Sequence, residues 1–236
     1  MNFHGLNQKQ QSVAKELGQN ILLLASAGTG KTNTLAYRIE NILDKKLAKP
    51  EEIVCLTFTN KACNEMKDRI NSIAGGAAVD VMVKTIHGFC YEILRWAARQ
   101  DSDIFGDFGV FDETDCLELI ANLKYVNSEK ASVFQKLINL VKEYRGEYNL
   151  FSQHPEEDYE QVILRLKDKN PQRLADAAKG LENILMIFDA HCGEILKEYD
   201  DMLRENHAVD FNDLINEAYR LLQQDEVAKV WQNRFK

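Results

Sequence analysis

Ile21-Leu22-Leu23-Leu24-Ala25-Ser26-Ala27-Gly28-Thr29-Gly30-Lys31-Thr32 joins an apolar run to a glycine-rich turn that ends in lysine and threonine. The run suits a buried strand at 20–25, and a helical pattern over about 31–43 follows, so the glycines fall at a strand-to-helix turn. There, successive backbone N–H groups can converge on an anion and the helix N-terminus adds partial positive charge. Gly28 and Gly30 allow the backbone angles and the close approach that a side chain would block. Ala27, Thr29 and Asn33 belong to the same expected contact set. Lys31 is placed to reach the β- and γ-phosphates of a nucleotide, and the Thr32 hydroxyl to ligate Mg²⁺. A full phosphate-loop pattern asks for glycine five places before Gly30, where Ala25 stands, so the motif is the shorter A-x-x-G-x-G-K-T.

Outward from this turn, 236 residues at 45% hydrophobic and 28% charged allow one large or two smaller soluble domains. A net charge of −8 implies that nucleic acid must be met by a local basic or aromatic track, with poor affinity for the surface as a whole. Cys55, Cys63, Cys90, Cys116 and Cys192 form no C-x-x-C pair, which points to a reduced compartment. Neither a signal peptide nor an apolar run of ~20 residues is present, so the expectation is a cytoplasmic protein with no membrane partner.

Asn7 can cap a helix over 7–17, ended by Gly18. Residues 53–57 and 79–84 have the short β-branched or alternating pattern of strands, with helices expected over about 61–73 and from Thr85 to Arg99. Strands alternating with helices argue for an α/β fold with a parallel sheet covered on both faces. Asp101-Ser102-Asp103 and the turn from Gly106 to Gly109 suggest a boundary, beyond which no strand is expected until about 206. Helices are predicted at 113–124, 129–145 and 157–168. A long one opens at Asn170-Pro171, with Leu174, Leu181, Phe188, Ile195 and Met202 spaced by seven. At ~1.5 Å per residue it would run about 50 Å, either as a coiled coil or inside a helical subdomain. Further helices are expected from Asp210-Phe211 and over 225–234.

Taken in order, Leu6 to Gln10, the glycine turn, Leu56-Thr57-Phe58-Thr59-Asn60-Lys61-Ala62, Thr85-Ile86-His87-Gly88-Phe89-Cys90 and Asp210-Phe211-Asn212-Asp213-Leu214 resemble the N-terminal half of superfamily 1 DNA helicases of the UvrD/Rep/PcrA type. The resemblance is strong over residues 6–99 and from 208 onward, and rests only on helical character between. It implies a P-loop NTPase fold of the RecA-like kind, partial here, with an all-helical inserted subdomain. The expected division is a first RecA-like domain over 1–105 and 207–236, with a 1B-like insertion over 106–206. ATP and Mg²⁺ are the implied cofactors. Single-stranded DNA and duplex junctions are the implied partners, and the implied activity is ATP-driven 3′–5′ movement on single strands with duplex unwinding.

Carried onto this chain, the resemblance puts Gln10 against the adenine ring and Arg38 near the nucleotide. Taken by themselves, Gln10 reads as an exposed helix residue and Arg38 as a solvated one. Thr57, Phe58, Thr59, Asn60 and Lys61 match a segment that meets single-stranded DNA, where an aromatic face, hydroxyls and helix N-terminal N–H groups suit bases and phosphates. A capped strand-to-helix turn with Phe58 buried is the alternative reading of the same residues. Thr85 and His87 match a second DNA-facing segment, although Ile86 and Gly88 depart from its usual Phe and Ser. The glycine turn leans toward motor domains of the RecB/AddA helicase–nucleases, and a non-catalytic nucleotide-binding module is a further alternative. In the family an apolar strand with Asp-Glu follows a segment like Trp231 to Lys236, and a second RecA-like domain supplies arginines. The chain ends before either, so the expectation is a fragment that binds nucleotide weakly and is catalytically incompetent.

Overall fold

The computed structural model describes residues 3, 5–26, 28–100 and 107–236. Two compact units emerge, Met1–Phe89 with Asp225–Lys236, and Cys90–Gln224. The sequence places the change at 105/106 and 206/207; Asp101-Ser102-Asp103 and Gly106 lie outside the described residues. Residues 207–224 group with the helical unit because Asp210, Asp213 and Asn216 all bond to Lys142.

In the first unit, α1 (Gln8–Lys15) is opened by a reciprocal cap: the Asn7 side chain accepts from the Gln10 N–H and the Gln10 side chain from the Asn7 N–H. It stops at Lys15, short of the expected 17. The glycine turn opens α2 (Lys31–Asp44). β1 (Val54–Thr57), α3 (Asn60–Ala74) and β2 (Met82–Thr85) form a strand–helix–strand crossover, and β1 and β2 pair in parallel from Val54↔Met82 to Thr57↔Thr85. α4 (Ile86–Gln100) follows β2 without a gap and belongs to this unit only as far as Phe89; α11 (Asp225–Arg234) closes the unit, its Trp231 lying 5.5 Å from the Phe89 ring. Ala36 and Ile39 of α2, Cys63, Met66 and Ile70 of α3, and Ile53, Val81 and Val83 at the strands make one core. The chain is therefore mostly helical with a small parallel sheet, a partial α/β fold.

One expected strand is missing. Residues 20–26 form no strand, and Leu22 and Leu24 are 82% and 81% exposed. The composition is that of a buried strand, but a strand exists only beside a hydrogen-bonding neighbour, and none of the described residues pairs with this segment.

The second unit, which starts inside α4 at Cys90, contains a short parallel pairing of β3 (Gly109–Val110) with β4 (Ala208–Val209), which the sequence pattern did not reveal. Between them lie α5 (Glu113–Ile120), α6 (Ala131–Glu147), α7 (Pro155–Lys169), α8 (Pro171–Ala178) and α9 (Glu182–Glu205), and α10 (Phe211–Leu222) comes after β4. Leu137, Ile138 and Val141 of α6, Val162 and Leu166 of α7, and Phe188, Ile195 and Leu196 of α9 fill its core. The single long helix expected from Asn170 is instead two. Lys179 (φ 53°) and Gly180 (φ 71°) take left-handed backbone that ends α8, and α9 departs from helical angles again at His191.

A buried charge cluster lies inside this unit. Lys142 of α6, its side chain 1% exposed, meets Asp200 at 3.2 Å, Asp210 at 2.7 Å and Asp213 at 2.8 Å. Burial alone would pull its ammonium down, but Asp210, Asp213 and Asp200 outweigh that and hold it well above its ordinary range. Tyr159 donates to Asp200, and Tyr199 donates to Asp210 at 3.2 Å. Asp210 is also the N-cap of α10, accepting the Asp213 N–H at 2.7 Å.

Beside this cluster, Gly146 lets α10 approach α6. A Cβ there would stand 2.3 Å from the Asn216 Oδ1, whose amide donates to the Lys142 carbonyl at 3.0 Å. Gly to Ala in a helix interior ordinarily gains about 1 kcal/mol. Here the overpacking cost of about 1–3 kcal/mol is the larger. Gly146→Ala is expected to lower the urea midpoint of the helical unit; an increase would show that Asn216 moves freely.

Candidate nucleotide and nucleic-acid sites

Helix α2 starts on Gly30, whose φ of 83° and ψ of 21° place it in left-handed backbone; Gly28 has φ 75°. These are the positions where a side chain would strain the turn. The Lys31 ammonium donates to the carbonyls of Ala25 and Ser26 at 2.6 Å each, and the Thr29 hydroxyl donates to Ser26 O at 2.7 Å. Thr34, fully buried one turn on, donates through both its N–H and its hydroxyl to the Gly30 carbonyl at 3.0 Å, which fixes the turn to the helix. Ala27 lies outside the described residues.

A cavity of about 630 Å³ opens beside this turn, lined by Gly28, Gly30, Lys31, Thr32 and Asn33 on one side and by Glu65, Asp68, Arg69 and Ser72 of α3 on the other. The α3 residues were missed by the sequence reading. Their i, i+3, i+4, i+7 spacing marks them as one helical face, but only the packing of α3 on α2 turns that face toward the glycines. Thr32 is exposed at the cavity, so its hydroxyl is available to a cation held with phosphate. Among the described residues no group of three or more His, Cys, Asp or Glu side chains could hold a metal ion by itself.

Gln10 reaches the same turn from α1, its Nε2 donating to the Thr29 carbonyl at 2.8 Å. Arg38 is turned away from the cavity: it donates to the carbonyls of Val13, at 3.0 Å, and of Glu16.

The second group of candidates collects at the carboxyl ends of the strands. Thr57 and Thr85 are register partners across β1 and β2, so the segments that follow them emerge side by side. Thr59 caps α3 by accepting the Ala62 N–H at 3.1 Å, and the Thr85 hydroxyl accepts the Gly88 N–H at 3.0 Å in the first turn of α4. Phe58 is 88% exposed, against the alternative of a buried ring. Asn60 is exposed beside it, Lys61 pairs loosely with Glu65 at 4.0 Å, and His87 is half-buried in α4. In open α/β sheets, ligands bind beyond the carboxyl ends of the strands. The charge is also divided: the first unit has 14 Lys and Arg against 10 Asp and Glu, the second 15 against 27. The acidic balance of the chain thus belongs to the helical unit, and both candidate sites lie in the basic one.

Residues 6–236 match the UvrD/REP helicase N-terminal domain. The chain belongs to that family. Among its relatives, the ATP-dependent DNA helicase PcrA of Bacillus subtilis (strain 168) is 29% identical over 98% of this chain. PcrA of Staphylococcus aureus (strain Mu50) is 30% identical over the same share, and the probable DNA helicase II homolog of Mycoplasma capricolum is 24% identical. The chain spans about 28% of the length of the two PcrA relatives. As a UvrD/REP N-terminal domain it carries the glycine turn, Gln10 and the two strand-end segments together. No helix among the described residues is long and apolar enough to cross a membrane.

Proposed function

We propose that this chain is the ATP-binding N-terminal part of a DNA helicase or translocase that couples ATP hydrolysis to 3′–5′ movement on single-stranded DNA. In this reading the first unit is a RecA-like P-loop domain and the helical unit its 1B-like insertion. A second RecA-like domain elsewhere in the protein completes the ATP site, in the cytoplasm. The observation that carries it is the convergence of two sites in one small domain: a glycine turn opening α2, and the paired ends Thr57 and Thr85 from which two helices start. PcrA-named relatives support the UvrD-like branch over a helicase–nuclease motor.

ATP would lie with its phosphates against Gly28, Gly30 and the first turn of α2 and its adenine toward Gln10, whose amide both donates and accepts. Lys31 would exchange its carbonyl partners for β- and γ-phosphate oxygens. Mg²⁺, held through Thr32 and the phosphates, would neutralise developing charge during transfer. Phe58 would stack on a base of the single strand, with Thr57, Thr59, Asn60, Lys61, Thr85 and His87 along its phosphates. The unpaired segment at 20–26 and the exposed Leu22 and Leu24 support a further strand from outside these residues.

The test is ATPase of the whole protein with and without single-stranded DNA. Stimulation by DNA, with unwinding of a 3′-tailed duplex, is the expected result; hydrolysis indifferent to DNA would sink the helicase reading. Phe58→Ala should weaken single-strand binding by about 1–3 kcal/mol, the worth of one stacked base. Unchanged affinity in a filter-binding titration would remove Phe58 from the interface. The chain alone should hydrolyse ATP near background.

A further inference from the structure

α1 is eight residues long, too short to persist in water without support, yet it carries Gln10. Its last carbonyls have no partners within the helix, and its C-terminal end carries partial negative charge. Two side chains of α2 meet that end. The buried Asn41 amide donates to the Ala14 carbonyl at 3.0 Å, and Arg38 donates to the carbonyls of Val13 and Glu16 and, at 3.4 Å, of Gln19. Ala14 itself is fully buried. At the other end of α1, Gln10 is held on both sides, by the Asn7 N–H at 2.8 Å and the Thr29 carbonyl at 2.8 Å. A Cβ on Gly30 would stand 3.0 Å from the Gln10 Nε2, so the approach leaves no slack.

We infer that Asn41 is a positioning residue for base recognition. With Arg38 it caps α1 from α2, the same helix whose first turn faces the phosphates, and so fixes the distance between Gln10 and the glycine turn. Asn41 touches no nucleotide itself. Its effect passes through α1, and it should therefore act on the base and not on the triphosphate. This rests on the nucleotide reading above and deepens it: that reading names the group that faces adenine, and this one names what holds it there. The cavity-facing residues of α2 lie about two to three turns before Asn41, so removing the amide leaves the phosphate side intact.

The test is calorimetric titration of the 236-residue chain with ATP, GTP and inorganic tripolyphosphate, for the unaltered chain and for Asn41→Ala. The expected result is a preference for ATP over GTP that falls about three- to tenfold in the variant, the worth of one neutral hydrogen bond, while tripolyphosphate affinity is unchanged. An unaltered preference, or a parallel loss for all three ligands, overturns the inference and leaves the nucleotide reading standing. Failure of the unaltered chain to bind any of the three overturns that reading and the inference with it. Hydrogen exchange on the unaltered chain needs no variant: amides of residues 8–16 should slow with ATP and not with tripolyphosphate. Equal slowing with both also overturns the inference.

Discussion

Lys142→Ala is expected to unfold the helical unit, or to destabilise it by about 3–5 kcal/mol, because removing one partner of a buried ion pair strands the other. Three aspartate side chains, not one, converge on this ammonium within 3.2 Å. Loss of the cooperative transition in urea, followed by far-ultraviolet circular dichroism, is the measurement; a shift smaller than ~1 kcal/mol would mean that water replaces the lysine. The same cluster sets a pH dependence. Burial, and then Asp210, push the Asp213 carboxyl from 3.8 up to about 8, with Lys142 opposing. The folded state keeps a proton that the unfolded chain has released, so this contribution is fully present below 3.8 and is lost as pH rises through about 8. Lys142, raised above 10.5, works in the same direction, its contribution persisting up to 10.5 and fading only above it. The unit should thus be less stable at alkaline pH. Asp213→Asn should flatten the fall in melting temperature between 3.8 and about 8; an unchanged slope would assign the proton elsewhere.

Lys31→Ala is expected to cost the chain most of its affinity for triphosphate. A charge-assisted hydrogen bond contributes about 1.5–3 kcal/mol, which is on the order of 10- to 150-fold in dissociation constant. In the whole protein the loss in hydrolysis should be larger, about 10²–10³-fold, because the ammonium would meet charge that grows in the transition state. Binding measured with ATP and tripolyphosphate should fall in parallel, since Lys31 faces phosphate and not base. That separates it from Asn41→Ala, which should divide the two ligands. Retained affinity in Lys31→Ala would argue that Arg69, across the same cavity, carries the phosphates instead.

By itself the sequence determined most of what depends on near neighbours. The glycine turn, the Asn7 cap, a cap at Thr59 or Asn60, the strand end at Thr57 and the start of α10 at Asp210 all follow from residue types within one turn of one another. The resemblance to superfamily 1 helicases rests on the same short segments, and the family match over 6–236 agrees with it. Tertiary structure decided what needs a distant partner. The run Ile21 to Ala25 reads as a strand, but pairing requires a neighbour and the described residues supply none. Seven-residue spacing promised one long helix from Asn170, and left-handed backbone at Lys179 and Gly180 broke it, a local stop that the spacing overrode in the sequence. Glu65, Asp68, Arg69 and Ser72 became cavity walls only when α3 packed on α2. Nothing near Lys142 in the chain marks it as buried; three aspartates, 58 to 71 residues further along, close around it. Burial and long-range charge belong to the assembled fold, and no local pattern encodes them.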